Sequence, residues 1–291
     1  LALLAACEKD ELTGPEPKET PAVALQRTVA YKSVEGVEPN LLSLDLYYRS
    51  DTAVKRPVVV YVHGGGWTIG DKAQQIDNKV RLFDSLGYVF ASVNYRLSPT
   101  SGDRAPDRVM YPIHNLDVAD AVAWVLRNVH TYGGDPERVA LLGHSAGAHL
   151  VSLTGTNPSF LEGAGMSLAN LRGVAAIDTE GYDVVDAVAE GNNVYINAFG
   201  TDPAANRDAS PIYNVQTEGD YPRFFIATRG SRRRVARATG FAEALREAGT
   251  EVTFIERNEY DHAGINRAIG APGETFVTEP LVAFFESCFG I

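Results

Sequence analysis

From about residue 27 onward, apolar positions along the chain follow two alternating rhythms. The stretch "LLSLDLYY" (41–48) alternates like a half-buried strand, and "PVVVYVHG" (57–64) is almost continuously apolar, as in a strand covered on both faces. "YVFASVNYR" (88–96), "RVALLG" (138–143), "GVAAID" (173–178), "RFFIAT" (223–228) and "EVTFIE" (251–256) read the same way. Between them the period lengthens. In 114–130, Val118, Val122, Val125, Leu126 and Val129 recur at helical spacing, and segments 74–86, 146–154, 235–248 and 274–288 are further predicted helices. This alternation predicts an α/β fold: a doubly wound, mostly parallel sheet with helices on both faces. Segments 156–170 and 190–222 are rich in Gly, Asn, Asp and Pro, and are predicted as loops. The second is a candidate lid over a pocket.

Composition narrows the function classes. The 291 residues are 45% hydrophobic and 22% charged, as in ordinary globular proteins, and the formal net charge of −11 disfavours a nucleic-acid partner. The chain opens with "LALLAAC" followed by "EKDELTGPEPKETP". The apolar piece is too short to span a bilayer and reads as the tail of a secretory signal. "LAAC" resembles a bacterial lipobox, which implies a lipid on Cys7, a polar tether from 8 to about 25, and a location in the bacterial cell envelope. Membrane contact is then expected only through that lipid, with residues 1–25 outside the folded unit and 26–291 forming one domain. Cys288 is left without a disulfide partner and is expected to be a buried, inert thiol. Oligomeric state is not legible.

Three motifs carry chemistry. "GHSAG" (143–147) joins a predicted strand to a predicted helix, the context of a nucleophile elbow: Gly143 and Gly147 clear space for a sharp turn that presents Ser145. "HGGGW" (63–67) follows the run 57–64. Its glycines let bare backbone approach a substrate, so Gly65 and Gly66, with Ala146 from the elbow, are candidate donors to a developing oxyanion. His63 is expected to orient that loop. The general base is expected at His262, in "YDHAGINRAIG" (260–270). His63 and His144 belong to other motifs, and His114, His130 and His149 fall in predicted helices.

With these residues the chain resembles the α/β-hydrolases, in particular the HGGG-type esterases with their carboxylesterase and feruloyl/acetyl-xylan esterase-like members. "GHSAGAHL" (143–150) is also similar to the kynurenine formamidase-like branch. "NYRLSP" (94–99), "ASPIYNV" (209–215) and "FAEALREAGTEV" (241–252) extend the resemblance over about 27–289. It implies a Ser–acid–His triad, an acyl-enzyme, a small ester substrate, and no metal or cofactor. Arylformamidase-like amide hydrolysis and acyl transfer would use the same residues. A tethered binding module with a degenerate site is the non-enzymatic alternative.

The departure is the acid. Relatives place an aspartate in the turn after the seventh strand, but here that turn reads "RGSRRRVA" (229–236), and Arg229 to Ala242 holds no carboxylate. Asp178, at the end of the preceding strand, is the preferred acid, with Glu180, Asp183 and Glu259 as alternatives and Asp261 disfavoured as the neighbour of His262. A helix-capping role for Asp178 is the competing structural expectation. The arginines are expected as a solvated cationic loop preceding a helix that starts near Val235. Recognition of an anionic substrate group is the sharper alternative.

Overall fold

A computed structural model describes residues 24–100, 105 and 107–291. Cys7 and almost all of the expected tether lie outside the described residues. The element order is β1 (Ala24–Ala30), β2 (Ser43–Arg49), β3 (Arg56–Val62), α1 (Asp77–Ser85), β4 (Val89–Val93), α2 (Ile113–Asn128), β5 (Gly134–His144), α3 (Ala146–Thr156), α4 (Pro158–Gly163), β6 (Leu171–Ile177), α5 (Val184–Ala189), α6 (Asn193–Phe199), α7 (Pro203–Asp208), α8 (Pro211–Asn214), β7 (Arg223–Thr228), α9 (Arg232–Glu247), β8 (Val252–Glu256), α10 (His262–Ala268) and α11 (Thr278–Phe289).

The strands form one sheet in the order β1-β2-β4-β3-β5-β6-β7-β8. β2 runs antiparallel to both β1 and β4, and every other pairing is parallel. This is the mostly parallel α/β sheet that the alternating pattern predicts, and the α/β-hydrolase architecture that the motif resemblance implies. Successive residues of each central strand enter opposite cores: Val58, Val60 and Val62 of β3 face one side, Val59 and Tyr61 the other. Both faces are covered, so the central strands read as continuous apolar runs. Helices α2, α3 and α9 pack on the first face, and α1, α10 and α11 on the second. The C-terminal ends of β3, β5, β6, β7 and β8 lie along one edge, because these neighbours are parallel. Sites in such sheets form outside that edge.

Several expectations need correction. Residues 190–222 are not plain loop, because they carry α6, α7 and α8, and α4 occupies part of 156–170. Each of α6 and α7 opens on a capping side chain, Asn192 accepting from Val194 N–H and Asp202 from Ala205 N–H. α9 begins at Arg232 rather than near Val235, capped by Ser231, so Arg232, Arg233 and Arg234 lie in its first turn. Cys288 is only half-buried, with its thiol pushed up to about 12 by burial.

Candidate active site

Ser145 sits between β5 and α3 with φ 56° and ψ −120°, a left-handed conformation that non-glycine residues seldom adopt. The flanking glycines make the turn possible. A Cβ on Gly143 would lie 2.3 Å from Gly147 O, and one on Gly147 would lie 2.0 Å from Val62 O. Ser145 N–H donates to Ile177 O at 2.9 Å, pinning the elbow to the end of β6.

One residue further on is Asp178, also left-handed at φ 51°, whose N–H donates to Ala227 O at 2.8 Å. His262 opens α10 and faces both residues. Its Nε2 lies 2.9 Å from Ser145 Oγ and its Nδ1 lies 2.7 Å from Asp178 Oδ2. Asp178 is fully buried, whereas the His262 side chain is 41% exposed.

The other carboxylates are engaged or remote. Asp183 caps α5 by accepting from Asp186 N–H, and Asp261 caps α10 by accepting from Gly264 N–H. Glu180 pairs with Arg234 and Arg237, and Glu259 is exposed in the turn after β8. The capping role weighed for Asp178 thus belongs to Asp183.

The arginine segment is solvated only in part: Arg232 and Arg233 are exposed, but Arg229, Arg234 and Arg237 turn inward. Arg234 Nη1 lies 3.0 Å from Asp178 Oδ1, and Arg229 Nε lies 3.3 Å from Asp178 Oδ2. Arg233 pairs with Glu190, and Arg237 with Asp186 and Glu190. These four guanidiniums are matched to the protein's own carboxylates, so Arg229, Arg233, Arg234 and Arg237 give no support to an anionic substrate. Burial pushes the Asp178 carboxyl up, but the hydrogen bond with His262 and the charges of Arg234 and Arg229 outweigh it and hold the group below the usual carboxylate range.

The loop after β3 wraps over the elbow. Gly65 has φ 118°, and a Cβ there would lie 1.9 Å from Ile69 O, so only glycine fits. Among the described residues the N–H groups of Gly65 and Gly66 donate to no other backbone oxygen across the turn. Ala146 is the first residue of α3, so its N–H has no partner within the helix. His63 Nδ1 bonds Gly64 O at 2.7 Å, and its ring stacks on Tyr95 at 4.6 Å, which fits the expected loop-orienting role.

Two cavities meet at Ser145 and His262. One, of about 330 Å³, is lined by Tyr61, the glycine loop, Ile69, Gln75 and Asn266. The other, of about 270 Å³, is lined by Trp67, Glu180, Asn192, Val194, Tyr195 and Arg234. α6 therefore walls the second cavity, the place where a lid was expected.

Beneath the first cavity lies a residue that the sequence does not single out. Lys79 is fully buried, donates to Gln75 O at 3.1 Å and Asn266 O at 2.8 Å, and is pushed down to about 7 by burial. A lone lysine in an amphipathic helix carries no signal for such a position.

Three further histidines are buried outright. His114 is pushed down to about 3 by burial, His144 to about 3 by burial and the neighbouring His262, and His149 to about 4 by burial. Their folded-state values lie below the ordinary histidine value, so below about pH 6.5 the unfolded chain binds more protons and stability falls with pH. Three such groups together cost about 4 kcal/mol per pH unit between about pH 6 and 5, against a typical total of about 5–15. Unfolding by urea at pH 5 is expected to take up close to three protons per chain from His114, His144 and His149, with a further contribution from His63, which burial also pushes down. Uptake near zero would mean that these imidazoles are charged in the folded protein.

The BD-FAE family profile matches residues 44–228, which run from β2 to the end of β7. Esterase LipQ of Mycobacterium tuberculosis is 34% identical over 236 residues, covering 76% of this chain and 53% of the relative. Esterase LipC of the same organism is 31% identical over 268 residues, covering 83% of this chain and 62% of the relative. The chain thus spans a little over half the length of these relatives. Among solved structures, esterase B from Lactobacillus rhamnosis superposes with a TM-score of 0.73 at 20% identity, covering 92% of this chain and 86% of that one. A truncated carbohydrate esterase from gut microbiota gives 0.71 at 17% identity, covering 94% and 99%.

Proposed function

The chain belongs to the BD-FAE family of α/β-hydrolases, and from that premise we propose that it is a carboxylic ester hydrolase working through a Ser145–His262–Asp178 triad and an acyl-enzyme. The observation that carries the reading is the unbroken line of contacts from Ser145 Oγ through the His262 ring to a buried carboxylate, at 2.9 and 2.7 Å, at the meeting point of two cavities. LipQ and LipC, both named esterases, add support from sequence.

Ser145 Oγ attacks the ester carbonyl carbon while His262 Nε2 takes its proton. The carbonyl oxygen gains charge against the N–H groups of Gly65, Gly66 and Ala146. His262 then protonates the departing alkoxide, leaving the acyl group on Ser145. Water then attacks the acyl carbon as it gives a proton to the same nitrogen, and His262 returns that proton to Ser145 Oγ as the acid departs. Each amide donor in such a site is worth about 3 kcal/mol, because it strengthens only as charge develops.

Cavities of about 330 and 270 Å³ lie at and just below the lower limit of the usual range of about 300–1000 Å³ for ligand pockets. That size favours short acyl groups. Nitrophenyl acetate and butyrate are expected to be hydrolysed with kcat/KM at least about tenfold above that for the decanoate. One extra methylene is worth about 1–3 kcal/mol in a fitted pocket. Absence of turnover on every short ester would end the esterase reading, and a preference for decanoate would end the short-chain reading.

A further inference from the structure

Asp178 is held by more than its histidine. Oδ2 accepts from His262, and Oδ1 faces Arg234 Nη1 at 3.0 Å, with Arg229 Nε 3.3 Å from Oδ2. The carboxylate is fully buried, while the two arginine side chains are 20% and 18% exposed. A buried carboxylate needs opposite charge and filled lone pairs to stay ionised. Both cations come from the segment that replaces the expected acid: Arg229 follows β7, and Arg234 is in the first turn of α9.

We propose that Arg234, backed by Arg229, is a positioning residue for the Asp178–His262 pair, fixing the carboxylate rotamer and setting how strongly the carboxylate draws a proton onto the imidazole. This inference rests on the serine-hydrolase reading above.

Geometrically, Arg234 occupies the oxygen that His262 does not use, so Asp178 cannot rotate about its Cβ–Cγ bond without breaking an ion pair. Electrostatically, a guanidinium on the carboxylate offsets part of the charge that would otherwise favour imidazolium.

The other groups around the pair come from every adjoining element. β5 contributes His144, which is neutral across the working range. The turn after β6 contributes Glu180, which shares Arg234 at 3.5 Å. Tyr182 and Tyr195, both pushed up by burial, stay protonated, and Arg237 answers Glu180, Asp186 and Glu190. Lys79 from α1 acts on His144, and on α10 Asp261 is paired with Arg267 at 3.7 Å. None of these occupies the second oxygen of Asp178.

The test is the pH profile of kcat/KM on a short ester for wild type, Arg234→Gln and Arg234→Lys. Arg234→Gln is expected to lower kcat about tenfold, to change KM less than about threefold, and to move the acid limb up by about 0.5–1 pH unit. Arg234→Lys, which keeps the charge without the planar fork, is expected to restore the limb while recovering only part of kcat. A limb unmoved in a folded Arg234→Gln overturns the inference, whatever its melting temperature does. Should Arg234→Gln fail to fold, Glu180→Gln decides. Freeing Arg234 for Asp178 alone must move the limb down, and an unmoved or raised limb overturns the proposal. Wild-type turnover with stoichiometric phosphonate labelling of Ser145 keeps these outcomes separate from failure of the esterase reading itself.

Discussion

Replacing Ser145 with alanine is expected to lower kcat on short aryl esters by about 10⁶-fold, with the fold intact. The loss is large because Oγ is the only atom that bonds to the substrate, and the base has nothing to deprotonate once it is gone. What remains is the field of the Gly65, Gly66 and Ala146 amides together with simple binding, worth about 10³–10⁴ over water in comparable triads. The structural cost should be small. Ser145 already sits at φ 56°, and alanine faces the same backbone strain there. Its hydroxyl bonds His262 Nε2 at 2.9 Å, and alanine simply leaves that half-exposed ring nitrogen to water. Steady-state rates, circular dichroism and a mass measurement after phosphonate treatment check this together. Retention of more than about 1% of kcat, or a phosphonate adduct on any other residue, would remove Ser145 from the mechanism.

The elements legible in the sequence are those whose burial is complete. β3 is buried at every residue, so nothing but a covered strand accounts for "RPVVVYV". β1 is nearly all exposed and, among the described residues, pairs only with β2, so "ALQRTVA" carries no apolar signature. The helices of 190–222 span four to seven residues, too short to show a 3.6-residue period. Their mark is local instead: Asp202 followed by Pro203 is a capping side chain before a proline at the first helical position.

The α9 boundary was hidden by electrostatics. Three arginines in the first turn oppose the positive end of the helix, and Ser231 alone is a weak start signal. The turn is stable because Asp178, Glu180 and Glu190 lie opposite it, and no local window contains those residues.

The candidate acid was legible in part for a related reason. Two of the carboxylates within reach in sequence are occupied three residues ahead: Asp183 by Asp186 N–H and Asp261 by Gly264 N–H. That spacing is the N-cap pattern, and it separates capping aspartates from the one left to face a histidine. Lys79 had no such pattern to betray it.

Asp178→Asn is expected to lower kcat by about 10⁴-fold while KM changes little. Asparagine keeps the shape but can offer Nδ2–H to His262 Nδ1. That bond selects the tautomer with hydrogen on Nε2, which then points a proton at Ser145 Oγ where a lone pair is needed. The second consequence is specific to this protein. Arg234 and Arg229 now face a neutral amide, and buried ion pairs broken on one side cost about 3–5 kcal/mol. A fall in melting temperature should therefore accompany the loss of rate, whereas Ser145→Ala should show the loss of rate alone. Asp183→Asn and Asp261→Asn serve as controls. Each keeps a capping side chain, so neither rate nor stability should move by more than a few tenths of a kcal/mol. If Asp178→Asn stays within about tenfold of wild type while Glu180→Gln or Glu259→Gln collapses the rate, the acid lies elsewhere. If all of these variants remain within tenfold, His262 works without a carboxylate, and the arginine pair serves only to bury Asp178.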